Sequence, residues 1–280
     1  ISWFSYVLHA SVFNFIITYC VFYTLTKFEL NVHLSFFYSI LVSVIAYPIA
    51  GTPFVDQHSM IFALLSLFSF ILALKTKSNF YWFLLPVLMF LAFLSKQTPA
   101  AYIGIVIALL GSLYFIYNFN LKRIIFFILG SLFILICFLL FFLLNEIPLS
   151  SFYQQYILFP ASIGEDRVSN FLFPIEFNRL ITRFKLIHFS QLILVIIVVK
   201  NILKKRKYFK SDEFIILTSI IFSSCALIMH QLLTLNQKFI FFIIPILLAF
   251  SHLYYAKNFE KKKLYNFSTN FFGNWIYNIL

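Results

Sequence analysis

The sequence predicts an all-α integral membrane protein, a polytopic bundle of about nine transmembrane helices, and two observations support this. First, 62% of the 280 residues are hydrophobic and only 11% are charged. Second, apolar stretches near the roughly 20 residues that a spanning helix needs recur along the whole chain. The predicted spans are residues 4–25, 34–50, 54–74, 80–95, 99–117, 122–144, 186–203, 212–230 and 239–256.

The order of these spans divides the chain into four regions. Residues 1–144 hold the first six spans, 145–185 form a long polar connection, 186–256 hold the last three spans, and 257–280 form a basic tail. The spans 34–50 and 80–95 are short, about 24–26 Å at 1.5 Å per residue, so they fit a bilayer only with little tilt or local thinning. Pro86 and Pro245 should kink their helices.

The cations predict the orientation of the chain. The net charge of +12 does not indicate a nucleic-acid partner, because the cations lie in clusters between apolar spans. Alternation of nine spans places most of the 21 Lys and Arg residues on one side, which should be the cytoplasm, with Ile1 outside and Leu280 inside. These cations are Lys27, Lys75, Lys77, Lys122, Arg123 and the clusters within 200–210 and 257–263.

The first predicted outer turn is Gly51-Thr52-Pro53, where Thr-Pro is a good start for a helix. Asp56 then lies in the first turn of the third span, and His58 follows half a turn later. A carboxylate here stabilises a helix N-terminus in any protein. The functional interpretation is an acid at the membrane surface that orients an acceptor or binds a cation, with His58 as a second catalytic candidate.

The second outer turn is Ser95-Lys96-Gln97-Thr98-Pro99. Lys96 is a cation on the side that carries few, which fits either a lysine that extends to the interface or a phosphate contact beside the N–H groups of a helix start. Gln97 is a candidate for binding the same substrate.

The long connection 145–185 adds further candidates for substrate binding. They are Gln154 and Gln155, within Tyr-Gln-Gln-Tyr, and Glu165, Asp166 and Arg167. Residues 174–188 predict a surface helix, because Phe177, Leu180, Ile181 and Phe184 recur at helical spacing opposite Glu176, Arg179 and Arg183. An interfacial helix explains that pattern without chemistry, and its cations could also attract an anionic lipid head group.

The last outer connection begins at His230 and ends at Lys238. Its leucines predict a partly buried turn rather than an exposed loop. Polar groups at membrane depth are costly, so His230 and Lys238 are candidates for substrate binding.

Residues 9–119 resemble the multi-span core of membrane glycosyltransferases of the C superfamily, most of all the protein O-mannosyltransferase and lipid A aminoarabinose transferase group. The resemblance rests on Gly51-Thr52-Pro53 with Asp56, and on Phe93-Leu94-Ser95-Lys96-Gln97-Thr98-Pro99. It implies transfer of a sugar from a polyprenyl-phosphate donor to a lipid, glycan or protein acceptor at the outer face of a bacterial plasma membrane. Such enzymes carry a key acid in an outer loop before the span that here begins near Phe4. We therefore expect a fragment that has lost its N-terminal part.

The chemistry that this resemblance implies assigns roles to the candidates. Lys96, supported by Arg167 or Lys238, would stabilise the leaving phosphate. Asp56 would accept the proton of the acceptor or hold a divalent cation, while His58 and His230 are weaker bases. The acidic pair Glu165 and Asp166 could equally supply the base. Gln97, Gln154 and Gln155 would bind sugar hydroxyls.

Two other functions stay open at the level of the sequence. An O-antigen ligase or polymerase also uses lipid-linked glycans and a long outer loop. A non-enzymatic transporter or flippase would more often show charges or glycine-rich breaks at the bilayer centre. This chain has only 6 glycines and spans nearly free of charge, a pattern that favours chemistry at one membrane surface.

Overall fold

The structure, a computed structural model, describes residues 2–46, 55–163, 178–205, 207–234 and 240–259. These residues are almost wholly helical, and no strand occurs among them. A helix occupies the position of each predicted span. In chain order the helices are α1 Trp3–Lys27, α2 Val32–Ala46, α3 Val55–Thr76, α4 Asn79–Ser95, α5 Gln97–Tyr117, α6 Leu121–Leu144, the short α7 Leu149–Phe152, α8 Lys185–Lys204, α9 Asp212–Thr234 and α10 Ile243–Phe259.

Several of these helices are long and apolar enough to cross a membrane, which makes the chain a multi-pass membrane protein. Within the described ranges six helices meet that condition, namely α1, α3, α5, α6, α8 and α9. The predicted short spans are short here too, at 15 residues for α2 and 17 for α4. α10 also has 17 residues. The figure of nine membrane crossings therefore stays a prediction.

The two prolines lie at different positions in their helices. Pro86 lies inside α4, and the kink expected there stays a prediction. Pro245 falls in the first turn of α10, where its missing N–H interrupts no helical hydrogen bond. The prediction of a kink at Pro245 was wrong, because the helix begins at Ile243 rather than near residue 239.

α3 is the central helix of the bundle. Almost every side chain from Met60 to Leu74 is buried, and α3 packs against α1, α4, α5 and α9. A helix that is apolar on all sides is expected in such a position. α6 lies at the periphery and packs mainly against α4, so most of its surface is left for lipid.

Gly130 allows α4 and α6 to approach closely. A Cβ atom at this position would lie 2.1 Å from the carbonyl oxygen of Phe83 and 3.0 Å from Pro86 Cγ. Small residues serve this purpose between membrane helices, since they let two backbones come into contact.

Several of the lysines that the sequence assigns to the cytoplasmic side lie together at one end of the bundle. Lys75 Nζ lies 2.8 Å from Glu29 Oε1, Lys257 Nζ lies 3.7 Å from Glu29 Oε2, and Lys77 pairs with Asp212. The hydrogen bond from Lys75 lowers the pKa of Glu29, with a smaller contribution from Lys257. Along α3, Asp56 lies about 28 Å from Lys75 at 1.5 Å per residue, close to the thickness of a hydrocarbon core.

The predicted surface helix 174–188 is divided in the part that the structure describes. Asn178–Thr182 form a π-helical turn, and residues from Lys185 onward belong to α8. The reason is Phe184, which is fully buried and stacks on Phe241 with ring centroids 6.3 Å apart. Phe184 therefore anchors the start of α8 instead of lying in the interface.

Candidate functional site

Asp56 is the buried centre of a charged cluster at the end of α3 opposite the Glu29 ion pairs. Its side chain is 4% exposed and forms an ion pair with Lys96 Nζ. His230 Nε2 lies 3.8 Å from the same carboxylate oxygen. Three candidates that lie 40 to 174 positions apart in the chain therefore meet at one point.

Lys96 reaches Asp56 because it is the single residue between α4 and α5. Its backbone is extended, with φ −164° and ψ 134°, so α4 ends at Ser95 and α5 begins at Gln97. Ser59, one turn beyond Asp56 on α3, donates to the carbonyl oxygens of Ala92 at 2.9 Å and Lys96 at 2.8 Å. One face of α3 thus holds both the backbone and the ammonium of Lys96.

His230 comes from the last two turns of α9 and is fully buried. The helix continues to Thr234, so His230 is helical and does not open the predicted turn. Its ring lies 6.2 Å from that of Tyr102 on α5. The next residue, Gln231, is also fully buried, and neither atom of its amide has a hydrogen-bond partner among the described residues.

The electrostatics of the cluster follow from its burial. A carboxylate away from water is stable only when it is paired, and Lys96 supplies that partner. The Lys96 side chain is 29% exposed, so Lys96 is the member of the ion pair that reaches the surface. The arrangement fits a cation that is oriented by a buried carboxylate and presented to an anionic ligand.

His58 faces away from this cluster. Residues two apart on a helix differ by about 200° in direction at 100° per residue, which places His58 on the face of α3 toward α1. There its ring lies 4.2 Å from that of Phe13 and 4.8 Å from that of His9. The structure does not bring His58 together with Lys96 and His230.

Gln97 contacts the long connection. Its amide nitrogen donates to the carbonyl oxygen of Tyr156, which lies in the π-helical turn Tyr153–Leu158 directly after α7. Gln154 and Gln155, in the same turn, are exposed. The long connection therefore contacts the turn between α4 and α5 next to Lys96, as is required if both contribute to one site.

Some predicted site residues lie outside the described residues, namely Glu165, Asp166, Arg167 and Lys238. Within the described ranges no three or more His, Cys, Asp or Glu side chains form a group that could hold a metal ion. Asp56 and His230 are the two potential metal ligands that meet in the cluster, together with a lysine.

Sequence patterns did not reveal three of the residues around the cluster. Ser59 could have been found, because it lies three positions after Asp56 and therefore on the same face of α3. Tyr102 and Tyr156 gave no comparable signal. Their places depend on how α5 and the long connection pack, and the chain has 16 tyrosines.

The fold and the cluster define a class. It is a helical multi-pass membrane protein with an ion pair at one end of its bundle, formed by buried Asp56 and partly exposed Lys96. No family model, no curated protein and no solved structure matches this chain. Any function of this chain therefore has to be inferred from the geometry of the site.

Proposed function

We propose that this chain transfers a sugar from a polyprenyl-phosphate donor to a lipid, glycan or protein acceptor at the outer face of a bacterial plasma membrane. The observation that carries the proposal is Lys96, whose side chain is partly exposed and whose ammonium is held by buried Asp56. It lies at the end of the bundle opposite the lysines paired with Glu29 and Asp212. A membrane-bound phosphate would meet such a cation at the interface.

The orientation is part of the proposal. All nine apolar helices cross the membrane, the Glu29 end faces the cytoplasm, and the Asp56 end faces outward. The excess of cations among residues 200–210 and 257–263 supports that direction. The long connection 145–185 then lies outside, where its glutamines can reach sugar hydroxyls.

The chemistry assigns Lys96 to the donor phosphate. As the bond between sugar and phosphate breaks, the departing phosphate gains negative charge, so a fixed cation stabilises the transition state more than the ground state. Asp56 orients Lys96 in this scheme, because its carboxylate is already engaged by the ammonium. The proton of the acceptor then goes to another group, for which His230 and the pair Glu165 and Asp166 are the candidates.

The direct test is sugar transfer from a polyprenyl-phosphate donor in membranes that contain the full-length protein. We expect Lys96→Ala to lower the rate by about 10²-fold or more, the usual effect of removing one preorganised charge. Lys185→Ala is the matched control, since Lys185 is an exposed lysine at the start of α8. Turnover in Lys96→Ala equal to that of Lys185→Ala, at equal abundance, would remove the proposal.

A transporter is the second candidate, and a specific observation favours it. Buried hydroxyls continue along the bundle interior below the charged cluster, among them Ser66 and Ser69 on α3 and Ser219, Ser223 and Ser224 on α9. A small cavity borders Ser223 and Ser224, and Ser223 Oγ has no partner among the described residues. Lipid-linked sugar that crosses the bilayer of proteoliposomes without being hydrolysed or transferred would favour this function.

A further inference from the structure

The turn between α4 and α5 depends on other parts of the chain for its hydrogen bonds. The last carbonyl groups of any helix lack partners within it, and extended Lys96 ends α4 abruptly. The carbonyl of Ala92 accepts from Lys96 N at 3.0 Å and from Ser59 Oγ at 2.9 Å. The carbonyl of Lys96 accepts from Ser59 as well.

Tyr156 binds the same turn. Its hydroxyl donates to the carbonyl oxygen of Phe93, and its own carbonyl accepts from the Gln97 amide. Its ring meets that of Phe93 edge to face at 5.6 Å and stacks on Phe152 at 4.9 Å. The two hydrogen bonds therefore lie on either side of Lys96 in the sequence.

We propose that Tyr156 is a positioning residue, which fixes the α4–α5 turn so that Lys96 meets Asp56 and the incoming anion. It belongs to a π-helical turn, a local distortion that occurs frequently at functional sites. Burial raises the pKa of the Tyr156 hydroxyl to about 12, so the hydroxyl stays protonated and donates at neutral pH.

The consequence is a mechanical link between the long connection and the charged cluster. α3 holds Lys96 through Ser59 and Asp56, while Tyr156 holds the turn from the long connection. A movement of the segment from α7 to residue 163 would therefore shift Lys96. The effect on a donor phosphate rests on the proposed function above, whereas the fixing of the turn does not.

The first experiment measures the position of the turn without any substrate. Asp56→Cys and Lys96→Cys are combined in full-length protein whose Cys20, Cys137 and Cys225 are replaced by Ser, and a short bis-methanethiosulfonate reagent is added to membranes. The two Cys substitutions remove the ion pair, so the position of the turn depends on its hydrogen bonds to Ser59 and Tyr156. We expect Tyr156→Phe to slow cross-linking about five-fold, the factor expected for one hydrogen bond.

Tyr153→Phe is the matched control, because Tyr153 belongs to the same turn and is 53% exposed. Equal cross-linking rates in Tyr156→Phe and Tyr153→Phe would overturn the proposal. If Tyr156→Phe does not fold, Gln97→Met decides in its place, since it deletes the other hydrogen bond and leaves the Tyr156 hydroxyl intact. An unchanged rate in that variant overturns the proposal in the same way.

The second experiment uses sugar transfer in the chain with Lys96 and Asp56 restored. A displaced Lys96 weakens transition-state binding more than donor binding, so Tyr156→Phe should lower kcat about five-fold with little change in KM for the donor. If cross-linking slows as expected but no chain transfers sugar, the positioning role stands and the proposed function fails. If transfer is present and Tyr156→Phe changes only KM, the positioning role fails.

Discussion

Replacing Gly130 by Ala tests the contact that joins α6 to the bundle. The new Cβ would lie 2.1 Å from the carbonyl oxygen of Phe83, whereas carbon and oxygen atoms in weak contact lie about 3.3–3.6 Å apart. The two helices must therefore separate by roughly 1.2 Å, and both contacting groups belong to backbone that cannot rotate away. Overpacking of this kind costs about 1–3 kcal/mol.

The higher helix propensity of Ala offsets part of this cost. Ala favours a helix over Gly by about 0.8–1.0 kcal/mol in soluble hosts, so the net loss relative to the native protein should be about 0–2 kcal/mol, and the loss relative to a Gly→Ala variant without a clash about 1–3 kcal/mol. Because α6 packs mainly against α4, weaker packing there should lower the unfolding temperature of the bundle. The assay is thermal unfolding in detergent of protein whose exposed Cys137 is replaced by Ser, followed by a thiol-reactive fluorophore that reports the partly buried Cys20 and Cys225.

Two other glycines give matched controls in the same bundle. A Cβ at Gly104 would lie 3.6 Å from Met89 Sδ, and one at Gly111 would lie 3.7 Å from Phe70. Both are ordinary contacts, so Gly104→Ala and Gly111→Ala should keep or slightly raise the unfolding temperature. A Gly130→Ala protein as stable as these two would refute the close approach of α4 and α6.

Three more predictions concern charges. Lys96→Met should lower the free energy of unfolding by up to about 3 kcal/mol, because it leaves Asp56 buried and unpaired. Asp56→Asn should cost less, since Lys96 can turn toward water. Unfolding of both single variants and the double variant measures these losses, and equal losses in the two single variants would contradict the prediction. Glu29 has a lowered pKa, so its pairing stabilises the protein above the unfolded pKa of about 4.3 and is lost as the pH falls through the lower folded value. The native protein should therefore become less stable between about pH 5 and pH 3, and Lys75→Met should remove roughly 0.2–1 kcal/mol of that decrease, as for other exposed pairs. An unfolding temperature that depends on pH in the same way in both proteins would argue against the ion pair. Removal of divalent cations with EDTA should leave sugar transfer within about two-fold, because Lys96 supplies the positive charge for the phosphate; a loss that Mn²⁺ restores would show that a cation has that role.

The helices were predictable because bilayer thickness sets a strong length requirement. The span 122–144 became α6 Leu121–Leu144, and 4–25 became α1 Trp3–Lys27. Their ends were less certain where no helix breaker marks them. α9 continues to Thr234 because its buried leucine at position 232 extends the apolar face beyond His230.

The site was predictable only as a set of residues on one face of the membrane. Alternation of spans placed Asp56, Lys96 and His230 at the same end, but contact among them depends on how α3, α5 and α9 pack. The contribution of Tyr156 could not be predicted, because its hydroxyl binds a backbone carbonyl whose availability depends on the extended conformation of Lys96. Side-chain patterns carry no information about such acceptors.

The ion pair changes how Asp56 and Lys96 are interpreted. From sequence, Asp56 and Lys96 are separate candidates with separate tasks, one for a proton and one for a phosphate. In the structure the Asp56 side chain is 4% exposed and the Lys96 side chain 29% exposed, so the anion of the proposed function would meet Lys96 first and Asp56 only through it. A catalytic lysine needs a fixed position more than it needs a neighbouring base. The burial of Asp56 is therefore better explained by the orientation of Lys96 than by proton transfer.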